Sequence, residues 1–574
     1  MFNRKSFDPH WTEIEYKPGG SRDDLGIETL SEAILADLLP GINNQTRRAR
    51  YYSFWAWVLR DFINDPDVFH DQSNFYEWLR RREDVLIMAY LAHGCDGGAA
   101  GTIIGSGVWD EGKKNVYPLG WKSLESVEGG AYQLYYRGAL LETNLIRRDD
   151  EDPHDNLTKM VGLPLADAYE QAVRGTQFVR QYLDASQLRK TDIEEFARNG
   201  CLCLLKSNEL ERRRLVDTFF RFDTPDVYAV KRLATLSFFL DIIAQSEGQP
   251  LSQNDFRATL YFWSYGDSHV YRPAGNLLEP AQCWRAFQLR QYFVFAVESF
   301  WSLFLHRIEI SSISEGAYIN WLLRELDLKT IAGEYELKLP TFDVDELSLE
   351  IFMNAIRDSL PLKALHSGPS VRNIKLNEHD LFLAIRNERS RLDVQTYAGK
   401  ALLMMALFYW RCLPWKNDPG WHYLSDTYSA GRMPVESLIR HLDHAIQDGW
   451  TLAHWLGWFQ RHYLWLQHRR VTLEKLITRR QETAKFTLTY KEPDNIPLFQ
   501  GLGLDTPKMN APRFPSALEI LTDLSLIAPD GQGYQLLPEG QEILDRFHSY
   551  SIPEWKEELE IDETTLILEE ADGG

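Results

Sequence analysis

Arg461 and His468 are the two residues of this sequence with the types and spacing of a catalytic couple. They bracket "RHYLWLQH", inside a stretch whose apolar pattern predicts a helix. An arginine there can stabilise a phosphorane, and a histidine can move the proton of a 2′-hydroxyl. The competing use is structural, with His462 and His468 capping or lining a helix contact. Three other stretches invite chemistry and lack part of what it needs. "GVWDEGKK", Gly107 to Lys114, approaches a phosphate-binding loop. Lys114 stands where Ser or Thr should hold Mg²⁺, and Val116-Tyr117-Pro118 follows where a helix should offer its N–H groups. The longer stretch "TIIGSGVWDEGKKNVYPL", Thr102 to Leu119, reads better as a hairpin. Glu336 and Lys338, with Asp327 upstream, have the residue types of a metal-dependent nuclease but no predicted sheet edge on which to converge. Glu378-His379-Asp380 has no second ligand set for a metal. No G-x-S-x-G or H-E-x-x-H motif is present.

The "RHYLWLQH" stretch resembles the R-x(4–6)-H motif of HEPN ribonucleases, with His462 as the polar residue after the arginine. The resemblance implies metal-independent action of Arg461 and His468 on an RNA backbone, usually across a dimer of helical domains.

The elements that must carry these residues follow from composition and periodicity. At 574 residues the chain is too long for one core. A net charge of −21 excludes a generally basic nucleic-acid surface and leaves room for a local one. Five cysteines, an odd number without C-x-x-C pairs, argue against a disulfide framework and a zinc site, so no metal or cofactor is expected and a reducing cytoplasm is. The N-terminus has no apolar signal-peptide core. The longest apolar run, Ala401 to Trp410, falls short of the ~18 residues a membrane span needs and reads as a buried helix.

Near the N-terminus, Leu30, Ala33, Ile34, Asp37 and Leu38 predict an amphipathic helix ended by Pro40-Gly41. A second is predicted from about Thr46 to Phe62, with Tyr51, Phe54, Trp55, Val58 and Phe62 on one face. Arg47 and Arg50 flank that face, while Arg60 points away. Arginines at the edge of a buried stripe need anions, and Asp23 and Asp24 are the nearest in sequence. A structural clamp of Arg47 and Arg50 with Asp23 and Asp24 is therefore expected in preference to phosphate binding.

Two stretches share the order helix, strand, polar turn, strand, helix. The first runs through Leu140-Leu141, Leu145-Ile146, a charged turn with Pro153, Leu157-Thr158, Gly162 and a helix from about Pro164. The second has a capping box of Ser516 and Glu519, a helix with Leu518, Leu521 and Leu524, a strand at Leu526-Ile527, a turn at Asp530-Gly531, and a return strand from Tyr534 to Leu537. Pro538-Glu539-Gly540 then opens a last helix. Both read as winged-helix-like modules, with a β-hairpin on a helical domain as the plainer alternative. The residues between, from about 175 to 480, read as almost wholly helical. The expected fold is mainly α and multi-domain, with two winged-helix-like modules carrying short β-hairpins. Its expected division is an N-terminal helical segment (1–70), a winged-helix-like domain (71–180), helical domains (181–330 and 331–490), a C-terminal winged helix (491–552) and an acidic tail (553–574).

Basic runs at Arg80-Arg81-Arg82, Arg212-Arg213-Arg214, His468-Arg469-Arg470 and Arg479-Arg480 read chiefly as solvated helix faces. Arg212, Arg213, Arg214, Arg469 and Arg470 are the candidates for contacts to double-stranded DNA, which would be made to phosphate and be salt-sensitive.

The N-terminal pattern R-D-x-L-G, L-L-P-G and T-x-R-A-R-Y-Y-x-F resembles that of a group of prokaryotic proteins found in phage-defence islands. "HRRVTLEKLITRRQETAKFTL" and the final winged helix share that resemblance. It implies no catalytic residues. By analogy, winged-helix, helix-rich accessory subunits belong to SMC-like defence complexes of the Lamassu and Wadjet type, where they link an SMC-like ATPase to a nuclease. The expectation is a non-catalytic cytoplasmic scaffold of an antiviral or anti-plasmid complex, with protein subunits as partners, DNA as a further one and no membrane. The HEPN-type ribonuclease is the alternative.

Overall fold

The structure, a computed structural model, describes residues 23–551 except 66–70, 95–114, 121–127, 149–151, 153, 267–268, 341–342, 361–371, 388–393, 427–432, 479–487, 492–497, 502–505 and 508. The phosphate loop considered at 107–114, the first part of the hairpin expected over 102–119, Arg479-Arg480 and the acidic tail lie outside these residues, while that hairpin's second half, Val116–Pro118, is a strand paired with Gln187–Arg189.

The protein is mainly helical, with short antiparallel strands. Helix α1 (Ile27–Leu38) begins where the Asp23 carboxylate accepts from the amides of Ile27 (2.8 Å) and Thr29 (3.2 Å). Helix α2 (Arg50–Asn64) starts later than its apolar pattern suggests. The cause is Asn43, whose side-chain oxygen accepts from the amides of Gln45 (2.8 Å) and Thr46 (3.0 Å) and holds Thr46 in a turn instead of a helix. Helix α3 (Gln72–His93) is capped by Asp71 and ends at Gly94, which has φ 62°. There follow α4 (Arg137–Glu142), α5 (Gly162–Val173), α6 (Gln177–Gln181), α7 (Lys190–Gly200), α8 (Glu209–Phe219), α9 (Val227–Ala244), α10 (Gln253–Phe262) and α11 (Leu278–Ile310). Later helices are named by their residues.

Two hydrophobic cores form, and they divide the chain differently from the serial domains expected. The first unites α1, α2, α3, α5, α7 and α9 with the helices Phe514–Asp523 and Pro538–His548 near the other end of the chain. The second holds Leu25, Ile27 and residues from α10 to Trp465, and Leu326, Leu328, Ile331 and Leu337 are buried in it across the boundary expected near residue 330. The 33-residue α11 serves both, giving Trp284 and Phe287 to the first core and its residues from Leu289 to Ile308 to the second. At 1.5 Å per residue it is roughly 50 Å long. The apolar run Ala401–Trp410 lies in the helix Val394–Cys412, largely buried in the second core. No helix among the described residues is long and apolar enough to cross a membrane. The stretch expected to be helical up to about 480 also supplies short strands: Gln187–Arg189 pairs with Val116–Pro118, Ser264–Tyr265 pairs with His269–Val270, and Ile313–Ser314 joins Leu498–Gly501 and Leu488–Lys491 in a three-stranded sheet.

The two helix–hairpin–helix units occur in the order the sequence suggests. In the first, Ile146–Arg147 pairs with Asn156–Leu157. In the second, Ile527–Asp530 pairs with Gly533–Leu536. Their backbones match in detail. Asn144 and Ser525, each at the end of the first helix, both have φ 58°. The next amides, Leu145 and Leu526, donate to Leu140 and Leu521, each at 3.0 Å. Gly162 and Gly540 then bring the following helix against the start of the hairpin. A Cβ on Gly162 would lie 2.2 Å from the Leu145 carbonyl oxygen, and one on Gly540 2.4 Å from that of Leu526. The capping box expected at Ser516 and Glu519 does not form. The helix begins at Phe514 with Arg513 at its cap, Pro515 lies in its first turn, and Ser516 is buried within it.

Candidate functional site

The segment "NNQTRRARYYSFWAW" is the junction around which the first core closes. Arg50 is 1% and Glu211 0% exposed. The Arg50 guanidinium donates to Glu211 from Nε (3.0 Å) and Nη2 (3.0 Å), and to the Cys201 carbonyl from Nη1 (2.5 Å). Ser53 Oγ (2.5 Å) and Asn208 Nδ2 (2.9 Å) also donate to Glu211, so the buried carboxylate has four donor groups around it. Arg50 further lies over the Tyr169 ring at 5.1 Å. Burial pulls the guanidinium's proton affinity down, but Glu211 beside it more than restores it.

Arg48 makes a two-pronged pair with Asp523, from Nε at 2.9 Å and Nη2 at 3.0 Å, and the Ala49 amide adds a third donor at 3.1 Å. Arg47 is half-exposed and meets Glu519 at 3.7 Å. The clamp expected of Arg47 and Arg50 with Asp23 and Asp24 is thus corrected. Arg50 is clamped, but by Glu211, while Asp23 is spent on the start of α1. Asp24 accepts from Trp301 Nε1 at 3.2 Å. Arg60, expected to point away from the buried face, is 12% exposed and pairs with Asp167 and Glu170 of α5.

Arg461 and His468 do not converge. Arg461 lies in a π-helical segment, Gln460–Trp465, is 59% exposed, and has Glu315 at 3.6 Å. His468 is 3% exposed, its Nδ1 is 3.0 Å from the Asp24 carbonyl oxygen, and its ring packs 5.0 Å from that of Trp301. Next to it, Gln467 Nε2 donates to the Leu25 carbonyl at 2.8 Å. These two residues therefore fasten the segment before α1 to the helix Leu466–Thr478. The bulge in the helix explains the divergence, because a wide turn between Arg461 and His468 breaks the α-helical phase the sequence spacing assumes.

The basic runs separate by burial. Arg212 is not available for DNA. Its guanidinium reaches Glu209 (2.9 Å), Glu539 (2.6 Å) and the Leu524 carbonyl (2.9 Å), tying α8 to the C-terminal module. Arg213 is exposed and pairs with Glu209; Arg214, Arg469 and Arg470 are exposed.

The other chemical stretches resolve into structure. Glu378 is fully buried, pairs with Arg411 at 3.0 Å and accepts from the Tyr261 hydroxyl at 2.8 Å. His379 Nδ1 is 2.7 Å from the Tyr292 hydroxyl, and burial first, then Arg372 and Arg257, push its pKa down to about 3. Asp380 pairs with Arg372 at 2.7 Å. Asp327 starts the helix Leu328–Glu334 by accepting from the Thr330 amide at 3.0 Å, whereas Glu336 and Lys338 are exposed beyond it. An open cleft of about 830 Å³ borders Asp327, but its acids Asp327, Asp343 and Asp345 are interleaved with Arg324 and Lys329.

One group with metal-ligand chemistry escaped the sequence reading. His93, Cys201 and Cys203 place their ligand atoms within 4.8 Å of one another. The available signal was Cys-x-Cys at 201 and 203 with a histidine at a helix end. The ligands sit too far apart in sequence for a search keyed on C-x-x-C pairs.

Fold and geometry together define a multi-domain, mainly helical protein with two matching helix–hairpin–helix units. No protein-family model, curated protein or solved structure matches this chain.

Proposed function

We propose that this chain is a non-catalytic scaffold or accessory subunit of a prokaryotic antiviral or anti-plasmid complex, bridging an SMC-like ATPase and a nuclease in the cytoplasm. The observation that carries the reading is the use made of the strongest catalytic couple in the sequence. Arg461 faces solvent, while His468 is buried against Trp301 and holds the N-terminal segment. One phosphate cannot touch both without displacing that contact. The HEPN-type ribonuclease reading needs both to reach the same RNA backbone.

Two further features support the scaffold. The helix–hairpin–helix units have the element order of winged helices, and on that reading they are its partner-binding or DNA-binding modules. Met160, in the turn after the first hairpin, is 84% exposed, an apolar side chain set outward where a protein partner would cover it. Arg213, Arg214, Arg469 and Arg470 are the remaining DNA-contact candidates.

Co-purification with the products of neighbouring genes tests the proposal. A stable complex with an SMC-like ATPase and a nuclease is expected. The exposed Arg461 can be changed without disturbing the fold, so Arg461→Ala should leave both complex assembly and defence intact. Loss of defence with assembly unchanged would favour the ribonuclease.

A further inference from the structure

We propose that His93, Cys201 and Cys203 form a zinc-binding site that clips the end of α3 to the turn between α7 and α8. His93 is the last residue of α3, and Gly94 turns the chain away immediately after it. Cys201 terminates α7, and Cys203 lies in the single 3₁₀ segment Leu202–Ser207 that leads into α8. Helix ends therefore fix all three backbones.

The distances fit one tetrahedral ion. Cys203 Sγ is 3.2 Å from His93 Nδ1 and 3.5 Å from Cys201 Sγ, and all three ligand atoms lie within 4.8 Å of one another. Zinc bonds of about 2.3 Å to sulfur and about 2.0–2.1 Å to nitrogen, at tetrahedral angles, need separations of about 3.8 Å for S···S and about 3.6 Å for S···N. Shifts of a few tenths of an ångström bring the two Cys203 separations to these values, and the His93–Cys201 separation, up to 4.8 Å, needs a larger movement for which the exposed His93 side chain has room. Two thiolates and an imidazole select a borderline-soft cation over Mg²⁺ or Ca²⁺.

A cation lies beside the buried cysteine. Arg50 donates to the Cys201 carbonyl, and its positive charge interacts favourably with a Cys201 thiolate. Cys201 is fully buried, Cys203 is half-buried and His93 is exposed, so the ion enters from the His93 side. Binding releases the proton of each thiol, and His93 coordinates through Nδ1. The two thiolates balance the charge of Zn²⁺. The fourth position belongs to water or one further side chain.

The test uses the full-length protein, purified under reducing conditions, equilibrated with Zn²⁺, and freed of loose metal by gel filtration. About one zinc per chain is expected by elemental analysis. Cys203→Ser and His93→Ala should bring it close to zero while retaining the wild-type far-ultraviolet circular dichroism. They are chosen because the fully buried Cys201 risks the fold. A chelator should lower the melting temperature of the wild type and leave that of Cys203→Ser unmoved. Co²⁺ in place of zinc should give the visible bands of a tetrahedral centre with sulfur-to-metal charge transfer from at least two thiolates, its intensity counting any third. Failure of the folded wild type to retain zinc would overturn the proposal. So would zinc retained at full stoichiometry by Cys203→Ser, or octahedral cobalt spectra without charge transfer.

Discussion

Arg50→Ala tests most directly what the arginine-aromatic segment does. The substitution removes the guanidinium from a pair in which both partners are 1% exposed or less. Breaking a buried pair on one side costs roughly 3–5 kcal/mol, because the remaining charge loses its compensation without regaining water. Here Glu211 keeps the Ser53 hydroxyl and the Asn208 amide as donors, which argues for the lower end, about 3 kcal/mol. If the first core unfolds as a cooperative unit of roughly 200 residues, that corresponds to a fall of about 6–12 °C in melting temperature. Differential scanning fluorimetry on the wild type, Arg50→Ala, Glu211→Met and Arg50→Met/Glu211→Met measures it. The double variant should recover most of the loss, because two apolar side chains of similar volume leave no charge behind. DNA affinity measured on the same samples should not change with Arg50. An unchanged melting temperature in Arg50→Ala, or a double variant as unstable as the singles added together, would refute the reasoning.

Arg212→Ala should loosen the C-terminal module, seen as faster proteolysis after residue 505. Arg213→Ala/Arg214→Ala should leave stability within about 0.5 kcal/mol of wild type and is the pair to assay for DNA binding. Gly162→Ala and Gly540→Ala each drive a methyl into a backbone carbonyl and should each cost about 1–3 kcal/mol by denaturant titration. His379 stays neutral in the fold down to about 3, whereas the unfolded chain takes up its proton near 6.5, so its contribution falls as pH drops between those values. His379→Gln should flatten the stability profile there by up to about 1.4 kcal/mol per pH unit. Burial raises the Glu83 carboxyl from its ordinary 4.5 to about 8, the opposite case. The stability of its protonated form is complete below 4.5 and is lost as pH rises through about 8, so Glu83→Gln should flatten the profile on that side.

What was legible in the sequence is what short-range physics decides. The periodicity of Tyr51, Phe54, Trp55, Val58 and Phe62 identifies the buried face of α2 because helical phase is set within a few residues. Turn residues likewise located both hairpins. Partners at long range were not legible. Glu211 stands 161 residues from Arg50, and Asp523 475 from Arg48, whereas Asp23 and Asp24 were merely near in sequence. Local competition explains two of the misplacements. Ser516 looked like a cap because Ser and Glu fit a capping box, but the helix starts earlier, at Phe514, with Pro515 in its first turn. The Arg461–His468 spacing assumed a regular helix, and a π-helical turn falls between them. The His93, Cys201 and Cys203 cluster needs α3 and α7 packed together before its ligands meet.

The contacts between the chain ends bear on how such a scaffold would work. Arg48 and Ala49 hold Asp523, Arg212 holds Glu539, and Arg513 donates to the carbonyls of Leu39 and Ile42. Asn44 donates to the Ala511 carbonyl, and Asn510 to that of Glu28. The N-terminal segment and the C-terminal module are therefore one physical unit. The C-terminal module is not an appendage swinging on a linker. It shares a core with α1 and α2, and moving it would break the ion pairs Arg47–Glu519, Arg48–Asp523, Arg212–Glu539 and Arg513–Glu32 and expose the ring of Phe514, stacked at 4.7 Å on Phe256. A partner that docks on this module would thus act on the whole first core, and α11, embedded in both cores, gives that load a rigid route into the second.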